Sequence, residues 1–253
     1  MKKFILATAT AGALIASGGG AFAQNINICV EGAYPPFSST EASGEVVGFD
    51  IDIANALVNE MGMSATMVKT DWDGIIPALL EGKCDAIIAS MSITDERKQV
   101  IDFSDKYYNS PAQFIGAGGM GEDMLEGKVV GVQRGTIHQD FMEGEFPNVE
   151  LRLYGSQDEV YLDLAAGRID AAMGDAIAMD DGFLKTDAGA GFAFFGPAYS
   201  IPKYHGEGAG VGVRQGEEEL RDAFSAAILA IRASGEYAAI NDKYFDIDIY
   251  GGE

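Results

Sequence analysis

The residues best suited to do chemistry in this sequence are concentrated in the stretch 89–97, which reads Ala-Ser-Met-Ser-Ile-Thr-Asp-Glu-Arg. In an extended chain, Ser90 and Ser92 direct their hydroxyls to one side and Met91 directs its thioether to the other. The polar residues that follow predict a helix start, which places free backbone N–H groups beside the guanidinium of Arg97. Both groups favour an anion, so the stretch predicts a carboxylate receptor. An arginine on a surface helix with ordinary capping hydroxyls is the alternative interpretation.

Alternating strand and helix patterns must position this stretch. A strand is predicted over 25–30, and a helix is predicted over 51–61 with Asp50 as its cap. A second strand over 65–69 and a second helix around 75–80 follow, before the apolar run that leads into the stretch. The order strand, helix, strand, helix, strand favours a parallel α/β sheet.

Residues 79–90 and 164–175 have the same pattern of residue types. The first reads Leu-Leu-Glu-Gly-Lys-Cys-Asp-Ala-Ile-Ile-Ala-Ser and the second Leu-Ala-Ala-Gly-Arg-Ile-Asp-Ala-Ala-Met-Gly-Asp. Each combines a helix end, a glycine, a basic residue and an apolar strand that begins Asp-Ala. Two such copies predict two lobes of similar construction, in which Ser90 and Asp175 occupy equivalent strand ends.

The second lobe is predicted to be an insertion into the first. Lobe 1 comprises residues 24–110 and 201–253, and lobe 2 comprises residues 111–200. Two chain crossings at one level form a hinge, and ligands of open α/β sheets bind outside the carboxyl ends of the strands. This arrangement places a cleft between Ser90 and Asp175.

The first 23 residues are predicted to be a signal peptide. Lys2 and Lys3 precede a largely apolar run over 4–16, and Ala-Phe-Ala over 21–23 fits a cleavage site. No cysteine for lipid attachment directly follows this site, and no later stretch is long and apolar enough to span a bilayer. We therefore expect a soluble protein outside the cytoplasm.

The chain is strongly acidic. It has 39 Asp and Glu residues against 17 Lys and Arg residues, and removal of Lys2 and Lys3 with the signal peptide changes the net charge from −22 to −24. Such a surface repels nucleic acid and anionic membranes and attracts cations, so we expect no nucleic-acid partner. A cationic ligand fits this charge, although a role in solubility explains it equally well.

Cys29 and Cys84 are the two cysteines of the sequence. An exported chain with two cysteines invites a disulfide. However, Cys29 lies near the end of one predicted strand and Cys84 at the start of another, an offset too large to bridge between parallel neighbours. We therefore expect two buried thiols. The two histidines and two separated cysteines form no metal-ligand pattern, so no zinc site is predicted.

Five motifs resemble the periplasmic solute-binding proteins for polar amino acids, specifically the lysine/arginine/ornithine- and histidine-binding group of the bacterial extracellular solute-binding proteins, family 3. They are Gly-Ala-Tyr-Pro-Pro-Phe over 32–37, Gly-Phe-Asp-Ile-Asp over 48–52, Asp-Ala-Ile-Ile-Ala-Ser-Met-Ser-Ile-Thr-Asp-Glu-Arg over 85–97, Phe-Ser-Asp-Lys-Tyr-Tyr over 103–108 and Ala-Gly-Arg-Ile-Asp-Ala over 166–171. The resemblance implies the type II periplasmic binding protein fold, with two α/β lobes joined by a two-segment hinge. It also implies a monomer in the periplasm that has no cofactor and delivers its ligand to an ABC permease in the inner membrane.

The resemblance further implies roles for the residues at the amino-acid end of a ligand. Arg97 would bind the α-carboxylate, together with backbone N–H groups near Thr136. Ser90, Ser92 and Asp175 would receive the α-ammonium, which has three donors for these three acceptors. Taken alone, Asp175 is as well explained as a helix cap.

At the other end, Tyr34 and Trp72 would enclose the ligand side chain, and Glu31 would pair with a distal cation. Without the resemblance, the two aromatics fit a core and Glu31 fits a solvated loop, while His138 fits a ligand contact or a surface position equally well. The complete set of residues expected at the site is Glu31, Tyr34, Trp72, Ala89, Ser90, Met91, Ser92, Arg97, Gln133, Thr136, Ile137, His138 and Asp175.

The sequence departs from the cation-binding group at three positions: Ala89 stands where Ser is usual, Gln133 where an apolar residue is frequent, and Ile137 where Thr is frequent. Parts of the pattern also resemble opine-binding relatives, which hold arginine joined to a second acid. Those relatives tend to carry Gly at the position of Ser92. We therefore expect a free cationic L-amino acid, arginine first and then lysine, ornithine or histidine.

Two other functional classes are considered. A lyase such as cyclohexadienyl dehydratase has the same fold, and His138, Glu31 and Asp175 could exchange protons. A clamp that holds an intact amino acid leaves no evident path for a leaving group, so we expect no enzyme activity. A sensor input domain is the third class, and the sequence shows no signalling segment to support it.

Overall fold

The computed structural model describes residues 25–251, and the predicted signal peptide over 1–23 lies outside them. Thirteen strands occur in this range: β1 (Asn25–Val30), β2 (Ala33–Tyr34), β3 (Ser38–Thr40), β4 (Val46–Val47), β5 (Ser64–Lys69), β6 (Ala86–Ile87), β7 (Ile101–Tyr108), β8 (Ala112–Ala117), β9 (Val129–Gln133), β10 (Glu150–Tyr154), β11 (Ala171–Asp175), β12 (Phe192–Tyr199) and β13 (Ala209–Arg214).

Eight α-helices connect these strands: α1 (Phe49–Glu60), α2 (Trp72–Leu80), α3 (Ile137–Glu145), α4 (Gln157–Ala165), α5 (Ala176–Met179), α6 (Pro202–His205), α7 (Glu218–Ser234) and α8 (Glu236–Tyr244). A π-helical turn over Asp180–Leu184 extends α5, and short 3₁₀ turns complete the connections. Within residues 25–251, none of the helices combines the length and the apolar character that crossing a bilayer requires.

The first sheet has the strand order β5-β1-β6-β13-β7. Strand β1 pairs in parallel with β5 and β6, as the sequence pattern predicts, whereas β13 runs antiparallel to β6 and β7. The expectation of a wholly parallel sheet is therefore wrong. The chain leaves this sheet along β7 and re-enters it along β13, so these two strands run in opposite directions.

The second sheet has the order β10-β9-β11-β8-β12 and is mixed in the same way. Strand β9 pairs in parallel with β10 and β11, while β8 is antiparallel to β11 and β12. Strands β2, β3 and β4 form a small antiparallel sheet beside the first. The chain therefore forms two α/β lobes, which confirms the predicted fold class.

Alternation along β1 explains how both faces of the first sheet are buried. Ile28 and Val30 lie in the core that α1, α7 and α8 cover, while Cys29 faces the core beneath α2. Helix α7 is amphipathic, and its buried stripe includes Phe224 and Ile228. This packing fixes the carboxyl ends of the strands, where the predicted site residues lie.

The chain crosses between the lobes over residues 109–111 and again over residues 200–208. Helix α6 lies in the second crossing, and its Tyr204 packs against Phe141 in the core of the second lobe. The sequence assigned residues 201–253 to the first lobe, and the packing of Tyr204 instead places α6 with the second.

The expectation of two free thiols is wrong, because Cys29 and Cys84 form a disulfide with a Cα–Cα distance of 5.6 Å. The prediction treated Cys84 as the start of a strand. Strand β6 begins at Ala86, and Cys84 belongs to the connection from α2. It therefore reaches the core beneath α2, where the side chain of Cys29 also lies.

Candidate functional site

A small cavity lies between the lobes and has a volume of about 30 Å³. Pockets that hold small ligands usually enclose about 300–1,000 Å³, so the two lobes are closed on one another. Twelve of the thirteen residues singled out in the sequence line this cavity: Glu31, Tyr34, Trp72, Ala89, Ser90, Ser92, Arg97, Gln133, Thr136, Ile137, His138 and Asp175.

Met91 is the residue of the predicted set that does not line the cavity. Its side chain is buried in the core beneath α2, together with Cys29 and Ile75. The alternation of side chains along the extended stretch already directs it away from Ser92. The side chain of Met91 therefore packs behind the cavity lining, and its contact with a ligand stays a prediction.

Arg97 marks one end of the cavity. Its Nη1 donates to the carbonyl oxygen of Ser92 at 3.0 Å and its Nη2 to that of Gly135 at 3.4 Å, and the guanidinium lies 5.3 Å from the ring centroid of Trp72. Burial lowers the pKa of Arg97 to about 10, so it stays charged at neutral pH. Among the described residues, no carboxylate forms an ion pair with Arg97, which leaves its charge available to an anion.

The start of α3 faces the same end. Thr136 precedes the helix and Ile137 is its first residue, and both line the cavity. The first amides of a helix have no acceptor within the helix, so they add donors and a positive dipole end beside Arg97. The hydroxyl of Thr136 donates to the carbonyl oxygen of Gln133 at 2.7 Å and holds the loop in place.

Asp175 ends β11 and lines the cavity as a hydrogen-bond acceptor. Tyr34 donates its hydroxyl to Oδ2 of Asp175 at 2.6 Å, and Nε2 of His138 lies 3.5 Å from Oδ1. Burial raises the pKa of Asp175 to about 6. Burial and the charge of Arg97 lower the pKa of His138 to about 3, so this imidazole is neutral and does not neutralise the carboxylate.

Ser90 is held by a buried network that the sequence did not reveal. Its hydroxyl donates to Oδ2 of Asp50 at 2.9 Å, and its amide donates to the hydroxyl of Tyr107, which donates to Oδ1 of Asp50. The φ angle of Ser90 is 54°, a left-handed conformation that few non-glycine residues adopt. The predicted extended alternation therefore fails at Ser90, and the network fixes the hydroxyl beside the cavity.

Asp50 was expected to cap helix α1, and this expectation is wrong. Gly48 occupies the cap position and Asp50 lies in the first turn, fully buried. Burial raises the pKa of Asp50 to about 7, and the hydrogen bonds from Ser90 and Tyr107 oppose this rise. Asp50 positions Ser90 rather than the helix end. The motif over 48–52 was the signal that could have identified it.

Glu31 marks the other end of the cavity, with only 4% of its surface exposed. Its Oε1 accepts a hydrogen bond of 2.6 Å from Nε2 of Gln133, which belongs to the other lobe. Burial raises the pKa of Glu31 to about 7. Gln133 stands where the cation-binding group frequently has an apolar residue. Its amide is the hydrogen-bond partner of Glu31 across the closed cleft.

Further contacts across the cleft surround the cavity. Nε1 of Trp72 donates to the carbonyl oxygen of Gly135 at 3.1 Å, and Arg134 pairs with Asp73. Gly182 approaches Pro35 so closely that an added Cβ would lie 2.7 Å from the proline carbonyl oxygen. Both lobes therefore contribute to the rim as well as to the lining.

The charges in the cavity are one guanidinium, Arg97, and two carboxylates, Glu31 and Asp175. The hydrogen-bond partners of both carboxylates in the described chain are neutral. Such a cavity suits a ligand with one anionic and two cationic groups. Within residues 25–251, no cluster of three His, Cys, Asp or Glu side chains has the arrangement of a metal site.

Comparisons with known proteins agree with this geometry. The profile of the bacterial extracellular solute-binding proteins, family 3, matches residues 26–247. An L-arginine-binding protein of Pseudomonas aeruginosa is 46% identical over 99% of this chain and 99% of its own. The lysine/arginine/ornithine-binding periplasmic protein of Escherichia coli is 43% identical over 99% of this chain and 100% of its own.

A solved structure supports the same relationship. It is a periplasmic binding protein of Salmonella typhimurium described as highly specific for arginine, with a TM-score of 0.82 and 32% identity. The match covers 88% of this chain and 100% of that one. The predicted type II periplasmic binding protein fold is thereby confirmed.

Proposed function

Because the chain belongs to the bacterial extracellular solute-binding proteins, family 3, we propose that it captures a cationic L-amino acid between its lobes and delivers it to an ABC permease. Arginine is the first candidate, followed by lysine, ornithine and histidine. The names of the relatives, which bind arginine, lysine and ornithine, support this ligand class. The chain is a binding protein, like the members of its family and its relatives, and it is not an enzyme.

The charge pattern of the cavity carries the proposal. Arg97 suits the α-carboxylate, Asp175 suits the α-ammonium, and Glu31 suits the distal cation. A cationic amino acid has one negative and two positive groups, so its net charge complements that of the cavity. A ligand such as glutamate would place a carboxylate against Glu31, which costs affinity.

Closure follows from the division of these groups between the lobes. Arg97 and Glu31 belong to the first lobe, while Asp175 and Gln133 belong to the second. A ligand bound between them stabilises the closed form because it interacts with both lobes only there. The hydrogen bonds Tyr34–Asp175 and Gln133–Glu31 join the two lobes at groups that the ligand would contact.

The relatives also support the proposed location. Curated relatives that match over nearly the full chain are periplasmic proteins, and residues 1–23 have the pattern of a signal peptide. We therefore place the mature protein in the periplasm, where an ABC permease of the inner membrane receives its ligand.

Calorimetry with arginine, lysine, ornithine, histidine, glutamine, glutamate and octopine tests the proposal. We expect arginine to bind tightest and glutamate to bind weakest. Glutamine or glutamate binding more tightly than every cationic ligand would refute the role of Glu31. Octopine binding more tightly than arginine would assign the protein to the opine-binding relatives.

Binding of a cationic ligand is expected to release protons near neutral pH. Burial raises the pKa values of Glu31 and Asp175 to about 7 and about 6, and a cation beside each carboxylate lowers them. At about pH 6.5 the two groups together should release about one proton per arginine bound. Affinity for arginine should accordingly fall as the pH decreases through these values.

Calorimetry in buffers of different ionisation enthalpy measures this release. Glu31→Gln should remove the larger part of it, because Glu31 has the higher pKa. Equal binding enthalpies in all buffers for the wild type would show that neither carboxylate changes its protonation.

Gly182→Ala should weaken arginine binding by about 10-fold, since the added Cβ would crowd Pro35 only in the closed form. Gly182 does not line the cavity, so the effect would come from closure alone. Titration calorimetry measures the affinity, and small-angle scattering measures closure. Gly74→Ala is the matched control, because a Cβ there meets no atom within 4 Å. Unchanged affinity in Gly182→Ala would mean that the contact with Pro35 is not needed for binding.

A further inference from the structure

His205 lies outside the cavity and packs against the helix that carries His138. Helix α3 presents His138 and Phe141 on one face, and the ring of His205 lies 5.2 Å from that of Phe141 and 6.5 Å from that of His138. Both histidines are buried, with 5% of His138 and 7% of His205 exposed. The two imidazoles are thus neighbours in the interior. His138 lies beside Asp175, and His205 lies next to His138.

The hydrogen bonds of His205 determine which of its nitrogens carries the proton. The amide of Ile201 donates to Nδ1 of His205 at 2.9 Å, so Nδ1 is an acceptor. The carbonyl oxygen of Ile201 lies farther from Nδ1, at 3.3 Å, and already accepts from the amides of Tyr204 and His205. A neutral His205 therefore has its proton on Nε2, and this buried donor has no partner in the described chain.

The same reasoning assigns the opposite character to His138. Its Nε2 faces the carboxylate of Asp175 at 3.5 Å and must supply the N–H, since a carboxylate only accepts. Nδ1 of His138 is then a buried acceptor, and it also has no partner in the described chain. Two neighbouring rings thus present one unpaired donor and one unpaired acceptor, which are complementary.

One water molecule can join these two atoms. Two hydrogen bonds of about 2.8 Å through one water molecule join nitrogens that are about 4.5–5 Å apart, and the centroids of the two rings are 6.5 Å apart. Buried water commonly satisfies polar groups of this kind. The resulting chain of donors runs from Ile201 through His205 and His138 to Asp175.

We propose that His205 is a positioning residue for the ammonium-binding end of the cavity: its Nε2 donor, joined through water to Nδ1 of His138, holds the His138 ring so that its N–H stays directed at Asp175. This inference rests on the proposed function for its effect on affinity, because Asp175 is the proposed acceptor for the α-ammonium. The link between the two histidines is independent of any ligand. It can therefore be tested even if the ligand class is wrong.

Two substitutions separate positioning from a structural role. His205→Asn keeps an acceptor near the position of Nδ1, and so keeps the contact with Ile201, but loses the donor at Nε2. His205→Gln keeps a donor near Nε2 and loses the acceptor at Nδ1. We expect His205→Asn to lower the affinity for arginine by about 10-fold and His205→Gln to restore most of it. A structural role would produce the reverse order.

The loss should also depend on the ammonium group. The arginine analogue that lacks the α-amino group should bind equally well to the wild type and to His205→Asn. An equal loss for arginine and this analogue would overturn the proposal, and so would equal losses in His205→Asn and His205→Gln. If the wild type binds no α-amino acid, the proposed function fails. The link between the two histidines is then tested by NMR of their ring nitrogens alone.

NMR of the imidazole nitrogens reads these tautomers directly. The chain has only two histidines, so histidine labelled with ¹⁵N gives two ring systems in the wild type and one in His205→Asn. We expect the proton on Nε2 of both rings in the wild type, and a shifted Nδ1 resonance of His138 in His205→Asn, because Nδ1 loses its donor. A proton on Nδ1 of either ring in the wild type, or an unchanged His138 in the variant, would overturn the proposal.

Discussion

Replacing Arg97 with alanine is expected to reduce the affinity for arginine by between about 30-fold and about 5,000-fold, which corresponds to about 2–5 kcal/mol. Arg97 is the one cationic side chain among the residues that line the cavity, and no carboxylate of the described chain is paired with it. Its removal leaves the ligand carboxylate in a closed cavity without a counter-charge. Titration calorimetry at neutral pH measures the change.

A charge-conserving variant and a ligand analogue define the cause. Arg97→Lys should recover only part of the affinity, because an ammonium cannot reproduce the two-pronged geometry of a guanidinium. Agmatine, which lacks the carboxylate, should bind weakly to the wild type and equally weakly to Arg97→Ala. Arg168→Ala is the matched control, since Arg168 pairs with Asp163 on the surface of the second lobe. Retained arginine affinity in Arg97→Ala would mean that the carboxylate binds elsewhere.

Removing the disulfide is expected to have the largest effect on stability. Cys29 and Cys84 close a loop with a sequence separation of 55 residues. Without this cross-link the unfolded chain gains entropy, which lowers the free energy of unfolding by about 4 kcal/mol. In a protein of this size that loss corresponds to a decrease in melting temperature of about 10 °C. Urea unfolding of the double variant Cys29→Ala/Cys84→Ala, compared with the oxidised wild type, measures it.

Two controls identify the cross-link as the source of this loss. The wild type unfolded without reductant should show no free thiol, because both cysteines of the sequence are paired. The single variant Cys84→Ala should lose most of the same stability, because it also lacks the cross-link. Two titratable thiols in the unfolded wild type, or equal stability of the double variant and the wild type, would mean that Cys29 and Cys84 are free thiols, as the sequence suggested.

Much of the fold followed from local patterns in the sequence. The helix predicted over 51–61 is α1, with bounds that differ by one or two residues, and the strand predicted over 65–69 is β5 with one additional residue. These predictions succeed because the period of apolar residues reports which face of an element is buried, and this periodicity is a property of neighbouring residues. The directions of β7 and β13, the strands beside the crossings, were not predicted. Their antiparallel pairing joins residues that are far apart in sequence, so no local pattern reports it.

The candidate site shows the same division. The motif over 85–97 and its counterpart over 164–175 predicted Ser90, Arg97 and Asp175, and these three residues line one cavity. Residue types with matching chemistry at equivalent strand ends were sufficient for this, because ligands of open α/β sheets bind outside the carboxyl ends of the strands, and the two lobes direct these ends at the same cleft.

The partners of these residues could not be predicted from the sequence. Asp50 resembled a helix cap and proved to be the buried partner of Ser90, while Gln133 proved to hold Glu31 across the cleft. His205 gave no signal beyond its residue type, and its relation to His138 depends on how α6 packs against α3.

The sequence by itself therefore determined the two α/β lobes and the types of group at the site, because apolar periodicity and motif chemistry are encoded locally. The tertiary structure alone decided which of those groups are paired, which remain charged and unpaired, and how Cys29 reaches Cys84. The physical reason is that hydrogen bonds, ion pairs and burial join segments that are distant in the chain, and the pKa of each buried group depends on those partners.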